Sequence, residues 1–184
     1  LTGILQFVYN AADIVVVGRF EGSNAVASVG ATSSLINLII NVFMGLSIGT
    51  SVAVAQYAGA GRHKDVRETV HTSLVISVLS GAVLAAFGLI FAPRLLQAMG
   101  TPKGEVLDGA AIYMRIFFIG MPFNMLYNFG AAILRAVGDT KRPLCYLLVA
   151  GLLNIVLNVV FVVCFKMHVA GVALATIVSQ LLSA

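Results

Sequence analysis

Apolar residues run along this chain in long blocks, and the polar positions inside the blocks recur every three or four residues. That is the period of a helix face, and the blocks are far longer than β-strands. Six blocks can be drawn. The first runs from Leu1 to about Val17 and is broken by Gly18–Asn24, where Ser23 or Asn24 can cap the next helix. The second spans about Ala25 to Tyr57, longer than the roughly 20 residues a bilayer needs, so it must tilt or project. A basic turn, Gly59–Asp65, leads into a third block from about Val66 to Phe91. Pro93–Gly104 reads as a loop. The fourth block spans about Glu105 to Val137, with Pro122 inside it as an expected kink. Gly138–Pro143 turns the chain into a fifth block ending near Phe165, with Pro143 suited to a first helical position. Lys166–His168 breaks it, and a sixth block starts near Val169.

Composition turns this pattern into a class. Of the 184 residues, 60% are hydrophobic and only 10% charged, with a mean hydropathy of +1.02. Soluble domains carry nearer 25% charge, so these charges cannot coat a soluble surface. The expected fold is an all-α polytopic membrane protein of about six transmembrane helices. The net charge of +4 sits between the blocks, where it reports topology and not nucleic-acid binding. The second and fourth turns carry Arg62, Lys64, Arg67, Arg135, Lys141 and Arg142, against Arg19, Arg94, Lys103 and Lys166 on the opposite side. That bias places those turns, and the start of the first helix, on the cytoplasmic side of the plasma (inner) membrane. Cys145 and Cys164 share one expected helix about 28 Å apart, too far to bridge, and read as packing residues. His63, His71 and His168 have no metal-ligand spacing, and no catalytic grouping stands out.

Candidate chemistry lies in the polar seams. In the first helix Gln6, Tyr9, Asn10 and Asp13 share one stripe. A carboxylate at membrane depth costs roughly 2.5–3.5 kcal/mol, so Asp13 should face protein or trapped water. It is either a permanent hydrogen-bonded clamp or a group that alternates between proton-bound and empty states, or holds a sodium ion. The second helix carries Asn37 and Asn41. The fourth carries Asn124 and Asn128, with Arg135 seven residues on. The fifth carries Gly151, Asn154 and Asn158, and the sixth Thr176, Ser179, Gln180 and Ser183. Asn37, Asn41 and Asn124 read as interhelical hydrogen-bond glue, worth about 0.6 kcal/mol each. Thr176 taken alone has the same reading. Asn154 and Asn158, one turn apart, can serve as glue, as a proton relay or, facing a carboxylate, as an oxygen-rich cation site. The third helix has only Ser and Thr, whose hydroxyls can bond back to their own helix.

Four stretches together resemble the multidrug and toxic compound extrusion (MATE) transporters. They are Tyr9–Gly18, Ala55–Arg62, Leu134–Pro143 and Gly151–Asn158, in the family's order. The resemblance implies one amino-terminal lobe, residues 1–184, of a twelve-helix, two-lobe transporter. The first and sixth helices would be truncated and the carboxy-terminal lobe lies outside the sequence. It implies export of cationic amphiphilic drugs across the bilayer in exchange for H+ or Na+, with no other cofactor. Within the branch like the DNA-damage-inducible protein F group, it makes Asp13 the coupling residue with Tyr9 as its partner. Asn154 and Asn158 would join Asp13 in cation coupling, as possible Na+ ligands. Tyr9, Asn10, Asn128, Thr176 and Gln180 would line the cavity. Asn158 departs from that branch, which often has a second Asp there. Rival readings are a lipid or polysaccharide-lipid flippase, which needs a cationic cavity, and a non-transporting assembly subunit. Away from the block ends, Arg115 is the only cation expected inside a membrane block.

Overall fold

The computed structural model describes residues 11, 14–19, 23–102 and 104–184. Among these the regular structure is entirely helical. Residues 11 and 14–19 are the described part of α1. Then come α2 (Ser23–Gly59), α3 (His63–Ala98), α4 (Glu105–Ile119), α5 (Met121–Ala136), α6 (Lys141–Val159) and α7 (His168–Ser183). A π-helical turn, Val160–Cys164, extends α6. Three of the described helices are long and apolar enough to cross a membrane: α2, α3 and α6 with its π-turn. The α4–α5 pair makes a fourth span, bent by 50°. By helix length and composition this is a polytopic membrane protein.

The bend falls where Gly120 and Pro122 interrupt the fourth block. Pro122 cannot donate to a backbone ladder, but in the first turn of α5 that donor has no helical partner anyway. The resulting elbow is the central column. Met114, Phe117 and Phe118 of α4 and Met121 and Met125 of α5 are buried against Val29 and Ile36 of α2, Ala92 and Leu96 of α3, and Val172 and Ala173 of α7. The helix α6 stands outside this core. It packs on α7, and touches α5 through a small cluster of Tyr127, Ala131 and Leu147. There the Tyr127 hydroxyl donates to the Pro143 carbonyl at 3.1 Å.

Two boundaries differ from the pattern. The third helix does not stop at Pro93 but runs through it to Ala98, because Ala92 and Leu96 are fully buried in the core and hold the last turn down. It stops at Gly100, whose φ of +77° suits a residue without a Cβ. There Thr101 N–H donates to Leu96 O and Gly100 N–H to Gln97 O. The fifth block ends not as α-helix but as the π-turn, whose first two carbonyls, Val160 O and Phe161 O, accept from Phe165 and Met167 N–H. Cys145 and Cys164 are free and exposed, so neither packs the core as expected.

The helices α2 and α3 form a long hairpin that opens on a polar segment, His63–His71. Arg62 stacks over Tyr57 at 5.1 Å and pairs with Asp65 at 2.7 Å, while Lys64 faces Glu68 at 3.9 Å. The expected back-bonding of α3 hydroxyls is present: Ser77 donates to Leu74 O and Ser80 to Ile76 O, both at 2.7 Å.

Candidate functional site: an amide-lined cavity

One face of each of five helices converges on a cavity of about 190 Å³. From α2 come Ser33, Ile36, Asn37, Ile40, Asn41 and Met44, spaced so that they share a single stripe. Across from it stand Leu147, Ala150, Gly151 and Asn154 of α6, and Thr176, Ser179, Gln180 and Ser183 of α7. The elbow joins the two walls, with Tyr113 and Phe117 from α4 and Asn124 and Tyr127 from α5. Among the described residues α2 and α6 do not pack on one another, and the cavity occupies the space between them. The lining is polar without charge: no described lining residue is Asp, Glu, Lys or Arg.

The polar side chains in and behind the lining are ordered by hydrogen bonds. On α6 and α7 they form a directed chain. Asn158 Nδ2 donates to Asn154 Oδ1 at 3.1 Å, Asn154 Nδ2 to Thr176 Oγ1 at 3.3 Å, and Thr176 Oγ1 to Val172 O at 3.0 Å. On α5 the Nδ2 of Asn128 donates both to Asn124 O at 2.9 Å and to Asn124 Oδ1 at 2.8 Å.

The sequence candidates therefore divide. Asn154, Thr176 and Gln180 line the cavity together. Asn158 is fully buried behind Asn154, and Asn128 is buried behind Asn124; neither is among the described lining residues. Asp13, Tyr9 and Asn10 lie outside the described residues. Arg115 is exposed on the outer stripe of α4 and does not line the cavity. Asn37, Asn41 and Asn124, read as glue, also line it. Tyr113, Phe117 and Tyr127 escaped sequence reading because an aromatic at helical spacing looks like core. The signal that could have found them was the elbow, which turns the inner faces of α4 and α5 toward one space. Among the described residues no group of three or more His, Cys, Asp or Glu could hold a metal.

Comparison with known proteins shows where this arrangement occurs. A family model described as MatE matches residues 1–160. The chain belongs to the MatE family. The probable multidrug resistance protein YoeA of Bacillus subtilis (strain 168) is 36% identical over 185 residues, covering 98% of this chain and 40% of that protein. A solved structure described as the inward-facing conformation of a multidrug resistance MATE family transporter of the MOP superfamily matches with a TM-score of 0.91 at 31% identity, over 97% of this chain and 40% of that one. The structure described as the outward-facing conformation of such a transporter also matches at 0.91 and 31% identity, over 99% of this chain and 40% of the other. The chain thus spans about two fifths of the length of these MATE relatives and has the fold of one lobe.

Proposed function

We propose that residues 1–184 are the amino-terminal lobe of a secondary active exporter that expels cationic amphiphilic compounds across the plasma membrane in exchange for H+ or Na+. The observation that carries the reading is a polar cavity whose described lining residues carry no charge, inside an otherwise apolar lobe of MATE fold. Hydrogen-bonding groups beside aromatic rings can hold many amphiphiles loosely, and loose, varied contacts are what a broad exporter needs. Support also comes from the equal match to inward-facing and outward-facing structures. A lobe that keeps its fold in both can rock as a unit and present the same cavity to either side.

The charge that draws a cationic substrate is assigned to Asp13. Coupling cation and substrate then compete for one negative group, so binding of one promotes release of the other. Asn154 and Thr176 supply oxygen-bearing neighbours on the lining, and Asn158 orients Asn154 from behind. The first turn of α3 and the Arg135–Arg142 region take the cytoplasmic side.

The test is transport by the full-length protein in vesicles, under separate proton and sodium gradients. Asp13→Asn is expected to lower gradient-driven export of a cationic dye at least tenfold; export at the native rate overturns the coupling role. The flippase reading is disfavoured by a lining without a cation among the described residues, and by Arg115 standing on the outside. Binding of a pyrophosphate lipid would revive it. An assembly subunit predicts that Asp13 can be replaced without loss.

A further inference from the structure

The amides of Asn124 and Asn128 have a polarity that the backbone dictates. A main-chain carbonyl only accepts hydrogen bonds, so the end of Asn128 that lies 2.9 Å from Asn124 O is its NH2 group. The same NH2 lies 2.8 Å from the outer atom of the Asn124 amide, which must then be the oxygen. With its oxygen turned back toward Asn128, Asn124 directs its own NH2 the other way, and Asn124 lines the cavity. Among the described residues no protein acceptor takes up that NH2. Asn154 offers a contrast on the facing wall: its oxygen accepts from Asn158 and its NH2 donates to Thr176, so both ends are engaged.

We infer that Asn124 is a hydrogen-bond donor that selects substrates bearing an accepting oxygen, such as a ring ketone, and that Asn128 is the positioning residue that fixes its polarity. This rests on the exporter reading and narrows its substrate class. A buried donor that is already oriented costs little to engage, and it penalises a ligand that buries it against a methylene. Tyr113 and Phe117 line the same cavity and suit a flat ring carrying that oxygen.

The experiment uses detergent-purified full-length transporter and two cations of equal charge, 4-benzoyl-N-methylpyridinium and 4-benzyl-N-methylpyridinium. They differ only by a ketone in place of a methylene. Isothermal titration of the wild type is expected to show the ketone bound about tenfold tighter. Asn124→Ala abolishes that preference by weakening the ketone alone; Asn124→Leu, closer in volume, does the same should the alanine variant fail to fold. Asn128→Ala reduces the preference, and the double variant matches Asn124→Ala alone, because Asn128 acts only through Asn124. Wild type without a ketone preference, or a preference that survives Asn124→Ala, overturns the inference and leaves the exporter reading standing. Additive losses in the double variant overturn the positioning role of Asn128. Binding of neither cation by wild type overturns the inference and the exporter reading together.

Discussion

At the residue scale, the α6–α7 seam shows how an amide can be structural and functional at once. Asn158 has no exposure, and its NH2 is spent on Asn154 Oδ1. Removing it leaves that oxygen short of a donor next to a space the size of the lost amide. Asn158→Ala is therefore expected to destabilise the protein by about 1–3 kcal/mol, read as a lower melting temperature in detergent. An unchanged melting temperature would show that water replaces the amide there. Spacing alone made the seam visible, since Asn154, Asn158, Thr176 and Gln180 fall on inward stripes of two neighbouring helices. What spacing could not rank was depth. Asn124 and Asn128 share a stripe just as Asn154 and Asn158 do, yet in each pair only the first meets the cavity. Which of two residues one turn apart lies nearer a void depends on how the neighbouring helices cross, and that information is not in either helix.

At the element scale, the elbow is held by two close approaches from α3. A Cβ at Gly88 would meet the Phe118 ring at 1.9 Å, and one at Gly81 would meet Pro122 Cα at 2.4 Å. Small residues let helices approach closely in a bilayer, where dispersion replaces the hydrophobic effect between them. Gly88→Ala is expected to cost about 1–3 kcal/mol by overpacking. Phe118→Leu in the same chain should return part of that loss, a coupling a double-mutant cycle in thermal melts would read; strictly additive effects would refute the contact. The end of α5 makes a second case. Gly138 has a φ of +88° while Gly138 N–H donates to Arg135 O and Asp139 N–H to Leu134 O. Gly138→Ala is expected to cost about 1–2 kcal/mol in the same measurement, because an L side chain strains that backbone. Pro122 announced the elbow in the sequence. Pro93 gave the wrong signal, because a proline near a helix end is tolerated when the turn beyond it, here carrying Leu96, is buried deeply enough to keep its shape.

At the scale of the whole molecule, large apolar side chains such as Leu38, Leu46, Val83, Ile90 and Leu152 are exposed, each by more than half. In water that surface would aggregate; in a bilayer it is the expected lipid-facing exterior. Alkaline carbonate washing is expected to leave the full-length protein in the membrane pellet, and its release into the supernatant would contradict a spanning arrangement. Orientation is tested by impermeant thiol labelling in a variant lacking Cys145 and Cys164: Lys64→Cys is expected to react only from the cytoplasmic side. The opening of α3 has one more consequence. The nine residues His63–His71, at 1.5 Å each, make about 13 Å of polar helix leading away from the α2–α3 bend, and the Arg62–Asp65 pair and the Tyr57 ring brace that bend. A stiff, polar stalk of that length is a handle: an antibody fragment raised against it could add mass for particle imaging without plugging the cavity.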